Sequence, residues 1–161
     1  MTRAETRRSK RRTQDKSRSA SRLAVVQALY QMELSGQDSE TALNEFIEHR
    51  LGREIDGTQY VEADKKYFAG IIRGVVERQD EIDRTIAVHL VKEWSFDRID
   101  PTMRAILRAA VFEMIAFLAV PMPVIVHEYM HVATAFFGKG DETAFLGGVL
   151  ARMSRELRLE A

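Results

Sequence analysis

The fold class is decided by the stretch DPTMRAILRAAVFEMIAFL at residues 100–118. Asp100 is a favoured N-cap residue, and Pro101 fits the first position of a helix, where no backbone N–H is needed. Behind this start, apolar residues recur every three or four positions, from Ile106 to Leu118. That spacing predicts an amphipathic helix with one buried face.

The same period continues on both sides of this stretch. A third helix carries two apolar rows between Tyr67 and Val76, and a bend near Gln79 leads into a fourth helix with Ile82, Ile86 and Leu90. No run alternates with period two for long enough to be a strand. The sequence therefore predicts an all-α single domain of about seven helices. The other four predicted helices span about 19–34, 41–51, 123–137 and 145–157. Residues 53–60 are predicted to form a loop between the second and third helices.

Composition narrows the class of protein. The 161 residues are 45% hydrophobic and 30% charged, without cysteine, so a buried core is expected and disulfides or thiolate chemistry are excluded. The uncharged run 114–126 is shorter than the ~20 residues that a membrane-spanning helix needs, so no membrane partner is expected. No phosphate-binding loop or nucleophile–base set is present, so no cofactor is predicted.

Charge is distributed unevenly along the chain. Residues 1–22 contain nine Arg or Lys against two acidic residues, a net +7, and because the whole chain is neutral the other residues carry −7. We expect residues 1–17 to form a flexible basic arm, with Arg11, Arg12 and Lys16, and residues 18–161 to form the helical domain. Arg18 and Arg22 lie four residues apart, on one helix face. Such clusters attract RNA phosphates, although a solubilising tail has the same composition.

Two motifs have competing interpretations. His127-Glu128-Tyr129-Met130-His131 matches the H-E-x-x-H pattern of zinc proteases, but no third ligand is evident in the sequence. Phe145 follows a glycine-containing turn and either packs in the core or stacks on an RNA base. Trp94 is expected to be a core anchor, and Gly147-Gly148 is expected to allow close helix packing.

Taken together, these fragments resemble the NusB family. They carry the resemblance by their order and spacing: Val-Val-Gln-Ala-Leu-Tyr at 25–30, Tyr67-Phe68, Gly74-Val75, Arg-Ala-Ile-Leu-Arg-Ala-Ala at 104–110, Phe112-Glu113-Met114, Val120-Pro121, the helix with Glu128 and Ala133, and Phe-Leu-Gly-Gly-Val-Leu at 145–150. The resemblance implies two packed helical subdomains. It also implies a cytoplasmic, non-enzymatic transcription antitermination factor that binds single-stranded boxA-type leader RNA.

The implied partners are the ribosomal protein NusE and the RNA polymerase antitermination complex, which supports transcription of ribosomal RNA operons. By matching positions, Arg18, Arg22, Asp141 and Phe145 would contact RNA, and Tyr30, Met103 and Arg104 would face the protein partner. The chain departs from the family pattern at four positions: Met103, His127, Gly147 and Ala151.

Two alternatives remain beside this interpretation. One is a zinc-dependent hydrolase that uses His127, Glu128 and His131. The other is a NusB-like RNA-binding scaffold without an antitermination role. NusB-like domains also precede RNA cytosine methyltransferase domains, but no such domain follows before Ala161, so a stand-alone factor is expected.

Overall fold

The computed structural model describes residues 2–50, 64–91 and 94–158, which form seven α-helices and no strand. The expected all-α class is confirmed. The loop expected at 53–60 and the stop at Gly52 lie outside the described residues. The helices are α1 (Arg3–Ser35), α2 (Ser39–His49), α3 (Lys65–Glu77), α4 (Gln79–His89), α5 (Pro101–Ala116), α6 (Met122–Phe137) and α7 (Asp141–Glu156).

Side-chain caps define where several helices begin. The carboxylates of Asp38, Asp64 and Asp100 accept hydrogen bonds from the backbone N–H groups two or three residues later. The N-cap of α2 is therefore Asp38, three residues before the predicted start of this helix at about Thr41. Gly36 ends α1 with a φ of 71°, a left-handed conformation that costs glycine little.

The first helix begins sixteen residues earlier than the sequence analysis placed it, at Arg3 instead of about Ser19. Thr2 and Glu5 form a capping box, in which each side chain bonds the backbone N–H of the other residue. Residues 2–35 contain neither glycine nor proline, and Arg, Lys, Gln and Ala favour helix without a buried face. The domain boundary at residue 17 stays a prediction.

The helices form two packed halves, which correspond to the two expected subdomains. Helices α1, α2 and α3 pack against one another, while α4, α6 and α7 pack around α5. Helices α1 and α5 join the halves and bury one continuous apolar core. The largest fully buried side chains include Phe46, Phe68, Ile106, Met114 and Tyr129.

The connection from α5 to α6 is held by one arginine. The guanidinium of Arg158 donates hydrogen bonds to the carbonyl oxygens of Met114, Phe117 and Val120, at 3.0, 3.1 and 2.7 Å. The arginine thus links the last turn of α5 to the turn that follows it and satisfies the Met114 carbonyl, which lies at the helix end. The turn at 117–121 is therefore a fixed part of the surface. Within the described ranges, no helix combines the length and the apolar character that crossing a membrane requires.

Candidate nucleic-acid interface

The basic residues before residue 17 lie on the exposed N-terminal extension of α1. All of them are solvent-exposed: Arg3, Arg7, Arg8, Lys10, Arg11, Arg12 and Lys16. The extension thus arranges the predicted RNA contacts Arg11, Arg12 and Lys16 around a helix instead of along a coil. Arg12 and Lys16, four residues apart, share one face.

A second face of the extension forms a shallow groove. Arg7, Lys10 and Arg11 line it together with Ser17 and Asp64. The backbone N–H of Asp64 donates to the carbonyl oxygen of Ser17 at 3.3 Å, which ties the start of α3 to α1. The groove therefore leads from the exposed extension toward the body of the protein.

Arg18 stands where the extension meets the body. Its guanidinium lies over the ring of Tyr67, 4.9 Å from the ring centroid, in a cation–π contact. Its Nε atom is buried and has no hydrogen-bond partner among the described residues. Arg18 is half-buried and lines an open cavity together with Tyr67.

Arg22, also predicted to contact RNA, is instead buried at 3% exposure. Its Nε and Nη2 donate to the two carboxylate oxygens of Glu113 at 2.8 and 3.1 Å, and Nη2 also donates to the Tyr67 hydroxyl. Burial lowers the pKa of Arg22, but the hydrogen bond and the charge of Glu113 outweigh burial and raise it. Arg22 is therefore an internal cation whose position fixes α1 against α3 and α5.

Two tyrosines complete this internal network. Tyr67 and Tyr129 both donate their hydroxyl protons to Glu113, the latter at 2.5 Å. Burial raises the pKa of both tyrosines, and the adjacent charge of Glu113 raises it further. The buried carboxylate is thus satisfied by one guanidinium and two hydroxyls, as a buried charge requires.

The HEYMH stretch takes part in packing between α6 and α1. The Ser19 hydroxyl donates to the Glu128 carboxylate, whose oxygens lie at 2.9 and 2.8 Å, and Arg22 Nη1 lies 3.6 Å from Glu128. The rings of His127 and His131 are exposed, with centroids 4.6 Å apart. Among the described residues, no three His, Cys, Asp or Glu side chains come together as a metal site. The zinc-hydrolase interpretation therefore gains no support from the geometry.

Asp141 and Phe145 lie at the other end of α6 from Arg18. Asp141 begins α7 and is exposed, and Phe145 is half-buried. The Phe145 ring stacks on Trp94, with centroids 4.5 Å apart and planes at 27°. Trp94 is 42% exposed, so the expectation of a core anchor was wrong; the indole covers Phe145 from the solvent side.

The two predicted RNA-contact regions are therefore separated rather than adjacent. Arg18 shares a cavity with Pro121 and Pro123 at the start of α6, whereas Asp141 follows the end of that helix. The 16 residues of α6 span about 24 Å. That length equals about seven stacked nucleotides at ~3.4 Å each.

Of the three predicted partner contacts, Tyr30 lines an open groove. Tyr30, Leu34 and Phe136 are 38, 60 and 41% exposed and line this groove together with Gln27 and Thr102. Met103 is buried, at 3% exposure.

Arg104, another predicted partner contact, is occupied within the chain. It donates to Glu33 at 2.8 Å and to the carbonyl oxygens of Phe96, Asp97 and Ile99. Arg104 thereby ties the C-terminal end of α1 to the start of α5. The structure brings neither Met103 nor Arg104 into the groove of Tyr30.

Comparisons with known proteins agree with this architecture. The model of the NusB family matches residues 19–155. A protein from Caulobacter vibrioides, "Transcription antitermination protein NusB", is 44% identical over 141 residues, which cover 88% of this chain and 94% of the relative.

Two solved structures are similar to the chain. The NusB structure from T. maritima has a TM-score of 0.69 at 31% identity, covering 86% of this chain and 91% of that one. A chain in the crystal structure of antitermination factors NusB and NusE in complex with dsRNA has a TM-score of 0.70 at 23% identity and covers 86 and 96% of the two chains. The second likeness bears on the fold alone.

Proposed function

The chain belongs to the NusB family, and from that premise we propose that it is a transcription antitermination factor that binds single-stranded boxA-type leader RNA together with the ribosomal protein NusE. In this role it acts in the cytoplasm, on the transcription complex of ribosomal RNA operons. It binds and positions its partners and catalyses no reaction.

The exposed basic extension of α1 is the observation that carries the RNA-binding part of the proposal. Seven cations project from a helical segment that has no apolar face with which to pack on the body or insert into a membrane. Release of counterions from RNA favours binding to such a surface. Because the extension and the buried part of α1 are one continuous helix, packing of that buried part fixes the direction of the extension.

The groove lined by Tyr30, Leu34 and Phe136 is the proposed NusE surface. Its exposed apolar side chains lie near the end of α1 that is remote from the basic extension. Aromatic residues in such positions anchor protein partners. RNA bound along α6 would then pass from the extension toward the partner, reaching Asp141 and Phe145.

RNA binding by charge-reversed variants tests the proposal. Arg12→Glu combined with Lys16→Glu removes two exposed cations of the extension, and Arg84→Glu combined with Arg155→Glu makes the same charge change on exposed parts of α4 and α7. We expect gel-shift affinity for a single-stranded boxA RNA to fall about tenfold or more in the first variant and little in the second. Equal losses in both variants would contradict the proposed surface.

The protein partner is tested in the same assay. Adding NusE should raise the affinity of the wild-type chain for boxA RNA, and Tyr30→Ala should reduce that gain while leaving binding of RNA alone unchanged. Trp94 is the single tryptophan and stacks on Phe145, so its fluorescence reports RNA at the distant end of α6. A chain that binds neither RNA nor NusE would refute the proposal.

A further inference from the structure

We propose that the cavity between α1, the start of α3 and the α5–α6 turn receives an unpaired RNA base at the end of the basic groove. This inference rests on the proposed function and adds to it a specific base-binding pocket.

The cavity has the size and position for such a ligand. Its volume is about 1080 Å³, it opens to the surface, and its lining includes Arg18, Tyr67, Phe117, Pro121 and His127. Binding pockets for small organic groups typically measure about 300–1,000 Å³, with mainly apolar walls and a few placed polar groups. The cavity slightly exceeds this range, so it admits a nucleobase and its sugar and leaves room for solvent.

The polar groups of the cavity match the chemistry of a base. The guanidinium of Arg18 lies over the Tyr67 ring and offers a flat cation on which a base stacks. Its Nε is a buried donor without a partner among the described residues, although buried donors are usually paired. Glu128, also in the lining, is an acceptor for the amino group of a base.

The rim of the cavity exposes apolar side chains on a preformed turn. Leu118 is 63% exposed and Val124 is 41% exposed. The hydrogen bonds from Arg158 to the carbonyl oxygens of Phe117 and Val120 in this turn, and of Met114 just before it, hold its backbone in place. The apolar rim is thus pre-organised, which lowers the entropic cost of binding.

The charge beside the cavity favours RNA over an apolar peptide as the occupant. Arg7, Arg11 and Arg18 follow the spacing i, i+4, i+11, which places them along one face of α1. Arg7 and Arg11 line the neighbouring groove, and Asp64 lines both the groove and the cavity, so the two are continuous. A strand whose phosphates lie on the groove therefore delivers its next base to Arg18.

The decisive variant is Arg18→Lys, which keeps the charge and removes the planar group. Two probes are used with the full chain: a single-stranded boxA RNA, and the same RNA with one abasic position placed at each site in turn. We expect Arg18→Lys to bind the intact RNA about tenfold more weakly, as loss of one stacked base predicts, with an unchanged salt slope. One abasic position should weaken wild type similarly and leave the variant unaffected.

A second pair of variants tests the apolar rim and includes its own control. Leu118→Gln with Val124→Gln makes the rim polar, while Val88→Gln with Val76→Gln changes residues of similar exposure (76 and 41%) on α4 and α3. We expect only the first pair to weaken RNA binding, with both pairs retaining the circular dichroism of the wild-type helices.

The outcomes separate the pocket from the wider function. If wild type binds boxA RNA and neither Arg18→Lys nor the rim variant changes the affinity, the base pocket is wrong and the proposed function stands. If the rim variant loses only NusE binding, a protein segment occupies the cavity and the inference is overturned. If wild type binds no RNA, both proposals fail.

Discussion

Arg18 and Arg22 lie one helical turn apart on α1 but have different partners, Tyr67 for the first and Glu113 for the second. Their spacing of four residues predicts two cations on one RNA-facing surface. In the structure the two side chains separate: Arg18 lies over Tyr67 at the surface of the cavity, and Arg22 reaches inward to Glu113. The spacing fixes the face of α1, but the partner that buries one of the two comes from α5.

The buried Arg22–Glu113 pair predicts that removing the charge of Glu113 strongly destabilises the folded protein. Glu113→Gln removes the carboxylate that Arg22 contacts most closely and leaves only Glu128, 3.6 Å from Nη1, so we expect the free energy of unfolding to fall by about 3 kcal/mol. Urea denaturation followed by circular dichroism measures this change. Arg73→Gln serves as the control because its ion pair with Glu40 is exposed at the surface, and it should change stability little. Similar losses in both variants would contradict the importance of burial.

The two tyrosines at Glu113 predict how stability depends on alkaline pH. Their pKa in the folded protein is raised above the ordinary value of 10.0, first by burial and then by the Glu113 charge. Their contribution is fully present below pH 10 and is lost as pH rises above it, because only the unfolded state then releases the protons. Unfolding free energies at about pH 9 and about pH 11 should show a smaller decrease in Tyr129→Phe than in wild type. An identical decrease would exclude this origin.

At the scale of helices, periodicity located the elements that bury a face. Helix α5 begins at Pro101 as predicted, α6 lies within one residue of its predicted limits, and α3 contains the predicted apolar rows between Tyr67 and Val76, because these rows pack on the core. The extension of α1 has no such row. Its helical state follows from the Thr2–Glu5 capping box and from helix-favouring residues, which act without any apolar face and therefore leave no periodic signal in the sequence.

Helix α3 approaches α5 closely at Gly74, and this contact gives a prediction for the pair of helices. A methyl group on Gly74 would overlap the ring of Phe112. Although alanine favours helix over glycine by about 1 kcal/mol, the overlap should make Gly74→Ala a net loss of about 1–3 kcal/mol. Gly148→Ala is the matched control, since nothing lies within 4 Å of its added methyl, and it should be neutral or stabilising. Thermal unfolding of the two variants compares them directly.

For the whole molecule, the sequence predicted the kinds of functional residue better than their arrangement. The sequence pointed to the basic run as RNA contacts and to Tyr30 as a partner contact, and these side chains are exposed in the structure. The cavity at Arg18 and the Trp94–Phe145 stack were not, because each joins residues that are distant in the chain and meet only when the two helical halves pack. Leu118 was expected on the buried face of the fifth helix, but α5 ends at Ala116 and the α5–α6 turn leaves Leu118 exposed.

The division into a basic extension and an acidic remainder predicts how RNA affinity responds to salt. If about five phosphates of a single strand contact the extension, the logarithm of the affinity should fall with the logarithm of salt concentration at a slope near −3.5. Arg12→Glu with Lys16→Glu should make that slope shallower by about 1.4, whereas Arg18→Lys should leave it unchanged because its cation is retained. Filter-binding titrations across a salt series measure both. A slope near zero in wild type would show that the extension does not contact the phosphates, since residues 23–161 carry a net charge of −7 and cannot replace it.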